Sequence, residues 1–295
     1  MTVLSPAARP PAKRRAPRGT RAGGRLATAL KYATLVLASA VVVVPLAAIL
    51  LTSLRTGKEV SKDPGLALPH DWLNFHNYTV AFTDGHMVRA LLNTAFILVF
   101  SVAGTVLIGS MTAYAVDRFH FRFKKLVLGA FLVASLVPSV TTQVATYRIV
   151  NNLGVMDTRW APVLLYMGTD IVSIYIFLQF IRSIPVSLDE AARLDGASSF
   201  TIYRRIILPL LKPAVATVVI VKGVAIYNDF YIPFLYMPSE DLGTISTSLF
   251  RFKGPYGAHW EVISAGAALV IVPSLLVFLA LQRFIYNGFA AGATK

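Results

Sequence analysis

Residues 187–213 read SLDEAARLDGASSFTIYRRIILPLLKP and form a charged segment between two long apolar stretches. The Ser-x-x-Glu pattern at Ser187 and Glu190 predicts a capping box, in which the Ser187 hydroxyl accepts from the Glu190 amide and the Glu190 carboxylate accepts from the Ser187 amide. Asp189 and Glu190 place negative charge at the positive end of the helix dipole. Gly196 is suited to the left-handed conformation that ends a helix. The segment therefore begins with a predicted helix of about two turns.

A second helical piece follows Gly196 and is expected to begin at Ser198 or Ser199. Pro209 interrupts it. One face of this piece carries three large side chains at helical spacing, which are Phe200, Tyr203 and Ile207. Two short helices joined by a glycine suit insertion into a groove of a soluble partner. The other interpretation is a solvated loop that folds back onto the lipid headgroups.

The composition is that of a membrane protein. Of the 295 residues, 56% are hydrophobic and only 14% are charged, whereas soluble domains carry about 25% charged residues. The net charge of +14 suggests a nucleic-acid partner, but its distribution argues against one, because a basic cluster without acidic residues precedes the first apolar stretch. Such a cluster orients membrane helices and attracts anionic lipid. With no cysteine in the chain, disulfides and thiolate chemistry are excluded.

Six apolar stretches are each close to or above the roughly 20 residues that a membrane-spanning helix needs. The predicted fold class is therefore all-α, a polytopic membrane protein with six transmembrane helices. The predicted spans cover residues 29–54, 90–116, 126–147, 161–181, 214–237 and 262–286. Residues 29–286 then form one transmembrane domain, preceded by a basic, disordered segment at 1–28 and followed by a tail at 287–295.

The first apolar stretch has a second interpretation as a secretory signal peptide, because Ala38-Ser39-Ala40 resembles a cleavage site. That triplet lies in the middle of the stretch, so we interpret the stretch as a retained span. Placing the N-terminus inside puts most of the 28 Lys and Arg residues on the inner side. The asymmetry predicts that both termini and the loop at 187–213 are cytoplasmic.

The chain lacks the sequence patterns of an enzyme. Gly57 and Lys58 lack the remaining residues of a phosphate-binding loop, and neither a HExxH nor a GxSxG pattern occurs. The five histidines show no metal-ligand spacing. We therefore predict no catalytic residue, no metal site and no cofactor in this chain, and an energy source on another subunit.

Ionisable and polar residues inside the predicted spans are costly in hydrocarbon and are candidates for function. Asp170 and Lys222 have similar predicted depths and are expected to pair. Lys222 and Asp229 are seven residues apart and would share a helix face. These residues either line the path of a transported solute or clamp helices together. The predicted path residues are Gln143, Tyr147, Asp170, Lys222, Asn228 and Asp229, although packing is the alternative role for Gln143 and Tyr147.

The spacing of Glu190-Ala191-Ala192, Gly196, Ile206 and Leu208-Pro209 resembles the EAA loop of binding-protein-dependent ABC importer permeases. Residues 72–78, WLNFHNY, residues 227–230, YNDF, and residues 287–293, NGFAAGA, resemble the carbohydrate branch, and the last resembles the maltose-type second permease. The resemblance implies a type I importer permease whose coupling helix docks on an ATPase. The implied docking residues are Glu190, Ala191, Ala192, Asp195, Gly196, Phe200, Tyr203, Ile206, Leu208 and Pro209.

The resemblance also implies partners and a location. The partners are a second homologous permease, two ATPase subunits that hold ATP and Mg²⁺, and an extracytoplasmic solute-binding protein. The location is the bacterial plasma membrane. The binding protein is expected to contact the segment that includes Leu249, Phe250 and Trp260. The predicted function is import of a sugar or oligosaccharide. The alternatives are another solute, such as a polyamine or glycerol phosphate, and an ion-coupled secondary transporter.

Overall fold

The computed structural model of this protein describes residues 21–63, 65–168, 170–254 and 257–293. The chain divides into two units, Met1–Ala48 and Ile49–Lys295, and the boundary lies within the first helix. The regular structure of the described residues is almost entirely helical, and its one hairpin pairs β1 Lys253–Gly254 with β2 Gly257–Ala258 in antiparallel register. The predicted all-α class is confirmed.

The helices follow the apolar stretches of the sequence, with short helices between them. Two 3₁₀ turns at Glu240–Leu242 and Leu249–Phe252 and a π-helical turn at Tyr203–Ile207 complete the structure. The α-helices are α1 Arg21–Ser53, α2 Gly57–Lys62, α3 His76–Thr83, α4 Met87–Arg118, α5 Lys124–Leu136, α6 Ser139–Asn152, α7 Trp160–Gly168, α8 Ile171–Arg182, α9 Ser187–Leu194, α10 Ser199–Ile202, α11 Leu208–Leu210, α12 Lys212–Asn228, α13 Tyr231–Tyr236, α14 Ile245–Ser248 and α15 Trp260–Ala293.

Helix α4 is central to the unit Ile49–Lys295 and packs against α7, α8 and α12. Small residues recur along its buried face, among them Ser101, Thr105, Gly109 and Ala113. A Cβ atom at Gly109 would lie only 3.2 Å from Cδ2 of Phe177, so the close approach of α4 and α8 favours glycine there. Small residues permit close helix packing in membranes, where the apolar solvent provides little other driving force.

Three of the predicted spans are interrupted in the structure. The stretch predicted at 126–147 is divided into α5 and α6, whose axes differ by 106°. Pro138 precedes α6 and lacks the amide that would continue α5, and Val137 before it is extended. The stretch predicted at 161–181 is divided into α7 and α8 with a bend of 46°. The stretch predicted at 214–237 contains α12 and α13, separated at Asp229.

By length and composition, the described helices allow two to five spans. Ala27–Ser53 and Met87–Arg118 each satisfy the requirement alone, and three bent pairs satisfy it if each pair is one span. Trp260–Leu276, within α15, is a shorter apolar helix. The six-helix membrane fold is consistent with this structure, whereas the exact boundaries of the predicted spans and of the domain at 29–286 stay predictions.

The chain ends differ from the prediction wherever they are described. α1 already begins at Arg21, so residues 21–28 of the segment predicted to be disordered lie within this helix. Alanine, leucine and arginine favour helix, and the apolar stretch that follows extends it. α15 continues to Ala293, so residues 287–293 of the predicted tail continue the last helix. Residues 1–20 and 294–295 lie outside the described residues.

Candidate functional site

The EAA loop forms two short helices joined at a glycine, as predicted. The first is α9, and Gly196 beyond its end has a φ of +81°. The Gly196 amide donates to the Arg193 carbonyl and the Ala197 amide donates to the Ala192 carbonyl. These two bonds form a Schellman motif, which fixes the direction of the chain after the helix. Ser198 then caps α10, because its hydroxyl accepts from the Thr201 amide at 3.3 Å.

The predicted capping box at Ser187 is wrong. Val186 occupies the N-cap position and no side chain caps the helix there; the Glu190 amide instead donates to the Val186 carbonyl. Ser187 is the first residue of the helix and not the residue before it, so its hydroxyl does not occupy the capping position. The acidic residues in the first turn still favour the helix through its dipole.

The residues predicted to dock on an ATPase divide into an exposed and a buried group. Glu190, Ala191, Asp195, Gly196, Phe200 and Pro209 are exposed, and Ile206 and Leu208 are half-buried. Ala192 and Tyr203 are buried in the core of their own chain. These two side chains therefore hold the loop to its own chain, and docking by the exposed residues stays a prediction. The sequence pattern places each of these residues in a helical segment, but packing decides which face of the segment is covered by the membrane helices.

Buried residues anchor the loop to the membrane helices. Ile202, Tyr203 and Ile207 belong to the same apolar cluster as Phe177 of α8. The Tyr203 hydroxyl lies 2.8 Å from the Ser110 hydroxyl of α4. The exposed side of the loop also carries large apolar side chains among its charged ones, because Leu194 is 90% and Phe200 is 60% exposed. An anchored loop that presents large exposed apolar side chains is a surface suited to another protein chain.

A buried ion pair lies beneath α9, and the sequence analysis did not identify it. Arg118 Nε is 2.8 Å from Asp189 Oδ2, and the two side chains are 5% and 1% exposed. In the sequence, Arg118 is one of the basic residues on the predicted inner side, and Asp189 is one of two acidic residues in the first turn of a predicted helix. A lone arginine at the end of an apolar stretch was the available signal, but nothing in the sequence links it to Asp189.

The predicted pairing of Lys222 with Asp170 is confirmed. Lys222 Nζ lies 3.1 Å from Asp170 Oδ1, and the side chains are 18% and 9% exposed. Asp170 also accepts a hydrogen bond from the Ser173 hydroxyl. Because Asp170 lies at the break between α7 and α8, the pair connects this break to α12. Whether the pair also lines a solute path stays a prediction.

The other predicted path residues have contacts and positions of their own. Asp229 lies beyond the end of α12, so the predicted helix face shared with Lys222 is wrong, and the Tyr166 hydroxyl donates to it at 2.8 Å. Asn228 Nδ2 donates to the carbonyl of Val224 on its own helix. Gln143 and Tyr147 lie on α6, where Gln143 is half-buried and Tyr147 is exposed.

The predicted binding-protein contact lies between α14 and the start of α15. Phe250 packs against Phe230 and Phe234, with ring centroids 5.5 and 5.2 Å apart, and remains 43% exposed. Trp260 is 56% exposed. Leu249 is half-buried, and its Cδ2 leaves no room for a side chain at Gly266. The described residues contain no group of three potential metal ligands.

Interrupted apolar helices, an anchored loop with an exposed face and a charge pair between helices are features expected of the membrane subunit of a transporter. The chain belongs to the family of binding-protein-dependent transport system inner membrane components, whose pattern matches residues 85–290. The predicted family resemblance is confirmed, and the chain is a permease component of a binding-protein-dependent ABC importer.

Relatives support the same family. The melibiose/raffinose/stachyose import permease protein MelC of Bacillus subtilis (strain 168) is 30% identical over 254 residues, which cover 85% of this chain and 91% of that protein. The galactooligosaccharides transport system permease protein GanQ of the same organism is 34% identical over 210 residues, which cover 70% of this chain and 74% of that protein.

A solved structure shares the fold. It is that of a bacterial ABC transporter involved in the import of the acidic polysaccharide alginate, and it matches with a TM-score of 0.76 and 20% identity. The match covers 91% of this chain and 99% of that chain. The predicted type I permease fold is thereby confirmed.

Proposed function

We propose that this chain is the permease subunit of an ABC importer that translocates a neutral sugar or oligosaccharide. The observation that carries the proposal is the anchored EAA loop, whose buried side holds it to the membrane helices and whose exposed side carries Glu190, Leu194 and Phe200. A loop of this kind can pass movement from a docked subunit into the helices. The chain itself then needs no ATPase site.

In the proposed mechanism, ATP and Mg²⁺ bind to two partner ATPase subunits, and their closure displaces α9. The Schellman motif and the buried residues of α10 and the π-helical turn make the loop move as one body. Because Tyr203 and Ile207 pack against α4 and α8, the displacement reaches the helices that surround the solute path. Access to the path then changes from the outer side to the inner side.

The proposed assembly has a second, homologous permease and an extracytoplasmic binding protein. Phe250 and Trp260 are exposed in the segment assigned to the outer side and are suited to contact the binding protein, because aromatic side chains are frequent in protein interfaces. The proposed topology has both termini in the cytoplasm of a bacterial cell, with lipid around the apolar helices. Nucleic acid has no part in the assembly.

The charges inside the predicted spans favour a neutral solute. Lys222 is paired with Asp170, and the Asp229 carboxylate accepts from Tyr166 and from two backbone amides, those of Tyr231 and Ile232. A polyamine or glycerol phosphate needs an opposite charge that is free to pair with it, since an unpaired charge is costly away from water. The relatives MelC and GanQ, which are named for uncharged saccharides, support the same choice.

The proposal can be tested with this permease purified together with its co-expressed partners and reconstituted in vesicles. ATP-dependent uptake is measured for raffinose and melibiose, with spermidine and glycerol 3-phosphate as charged comparators. We expect uptake of a saccharide and of neither charged solute. Uptake of a charged solute alone would contradict the proposed neutral substrate while leaving the ABC permease assignment intact.

The alternative of an ion-coupled carrier is tested in the same vesicles. Glu190→Gln is expected to reduce ATP-driven uptake at least about tenfold, which corresponds to about 1.4 kcal/mol. The matched control Glu240→Gln makes the same change at an exposed side chain of the outer segment and is expected to leave uptake unchanged. Uptake that persists without ATP and is lost only in Lys222→Met would instead establish an ion-coupled carrier.

A further inference from the structure

The guanidinium group of Arg118 joins three separate segments at the inner end of the helices. Arg118 is the last residue of α4. One terminal nitrogen donates to Asp117 Oδ2 at 2.7 Å, and the other donates to the carbonyls of Ile184 at 2.7 Å and Ile181 at 3.4 Å. The Ile181 carbonyl belongs to the last turn of α8, where carbonyls lack partners within the helix. Only arginine offers several donors in such a fixed planar arrangement.

The remaining nitrogen of Arg118 faces α9. This nitrogen, Nε, lies 2.8 Å from Asp189 Oδ2, so the two groups form an ion pair, although the angle between them is not that of a hydrogen bond. Among the described residues, neither carboxylate oxygen of Asp189 has a hydrogen-bond partner. Asp189 is only 1% exposed. A buried carboxylate held by charge alone depends strongly on its partner, because removing that partner leaves an uncompensated charge.

This ion pair is one of two buried contacts between α9 and the core. Of the eight residues of α9, only Asp189 and Ala192 are buried. Ala192 supplies apolar contact, which resists separation of the surfaces but permits sliding and rotation. The ion pair has a direction and a preferred distance, so it restricts the rotation and shift of α9 relative to α4. Asp117, which also lies 3.6 Å from Arg182 Nε, completes a cluster with two positive and two negative side chains.

We propose that Arg118 and Asp189 are positioning residues that transmit the displacement of α9 to the ends of α4 and α8. This inference rests on the proposed function, since it concerns the step between the docked ATPase and the membrane helices. Without the pair, α9 remains docked and can still follow the ATPase, but its movement is no longer passed on in full. ATP is then hydrolysed without a matching amount of transported solute.

The test measures ATP hydrolysis and saccharide uptake together in the reconstituted complex and compares their ratio. For Asp189→Asn we expect the amount of ATP hydrolysed per molecule of solute to rise about tenfold, within the range of coupling changes caused by mutations between sites. The charge-matched control Asp84→Asn alters an exposed residue at the end of α3, on the predicted outer side, and is expected to leave the ratio unchanged.

A double variant distinguishes transmission from folding. Asp189→Leu with Arg118→Met replaces both members of the pair by apolar side chains, and Asp117 keeps its contact with Arg182. The complex should then assemble in wild-type amounts, because replacing a whole buried pair by apolar residues is often neutral for stability. Its hydrolysis-to-uptake ratio should remain raised. A ratio restored to that of the wild type would overturn the inference and leave the pair a purely structural role. If the wild-type complex itself shows no ATP-driven uptake, the proposed function fails instead.

Discussion

The inner and outer ends of α4 carry the same kind of ion pair in opposite surroundings. At the inner end, Arg118 and Asp189 are 5% and 1% exposed; at the outer end, Arg89 and Asp241 are 55% and 78% exposed. Water and salt screen the outer pair, whereas the inner pair has been removed from water and depends on its partners. The loop assigned to docking is thus held by contacts that tolerate little change, while the outer pair tolerates substitution.

The largest loss of stability is expected for Arg118→Met. This variant leaves Asp117 and Asp189 without their main partner, so the free energy of unfolding should fall by about 3–5 kcal/mol. Equilibrium unfolding of the purified permease measures the loss, and Arg89→Met is the matched control at the outer end. Equal losses in the two variants would show that burial does not distinguish the two ends of α4.

A smaller loss is expected for Gly196→Ala. At a φ of +81° any other L-residue is strained, although a Cβ atom there would meet nothing within 4 Å. The cost should therefore come from the backbone alone, about 1–2 kcal/mol. Gly129→Ala is the control, since Gly129 lies inside α5 with an equally open surrounding; there alanine should be neutral or stabilising. The same unfolding measurement applies, and a neutral Gly196→Ala would mean that α9 ends differently.

Tyr203→Phe should cost about 1 kcal/mol, because it removes the hydroxyl that meets Ser110 while leaving the buried ring in place. Tyr231→Phe, at a 43% exposed tyrosine near the other end of α12, serves as the comparison and should change little. Equilibrium unfolding measures both variants. If their free energies of unfolding fall by the same amount, the hydrogen bond between the loop and α4 contributes nothing specific to the stability of the inner end.

The smallest loss of stability is expected for Asp241→Asn at the outer end. Exposed ion pairs contribute about 0–1 kcal/mol, and the contribution decreases as salt is added. Thermal unfolding at low and high salt should therefore show a small difference from the wild type that disappears at high salt. A loss that persists at high salt would show that Asp241 acts through more than its charge pair with Arg89.

Local patterns of the sequence predicted much of the site. Gly196 ends a helix because glycine alone adopts that conformation without strain, and Asp170 pairs with Lys222 because two opposite charges at similar depth have few other partners in hydrocarbon. The capping box at Ser187 was wrong by one residue, because the helix begins one residue earlier than the pattern predicts and Val186 takes the N-cap position. Asp229 was placed on a helix that in fact ends at Asn228.

Composition and hydropathy by themselves determined that this chain is helical and lies in a membrane, and the spacing of a few residues identified the EAA loop. These features could be predicted because each depends on residues that lie close together in the chain. Only the tertiary structure decided that Ala192 and Tyr203 face inward and that Arg118 meets Asp189. These features arise from contacts between residues far apart in sequence, and a side chain's burial depends on which helix happens to cover it.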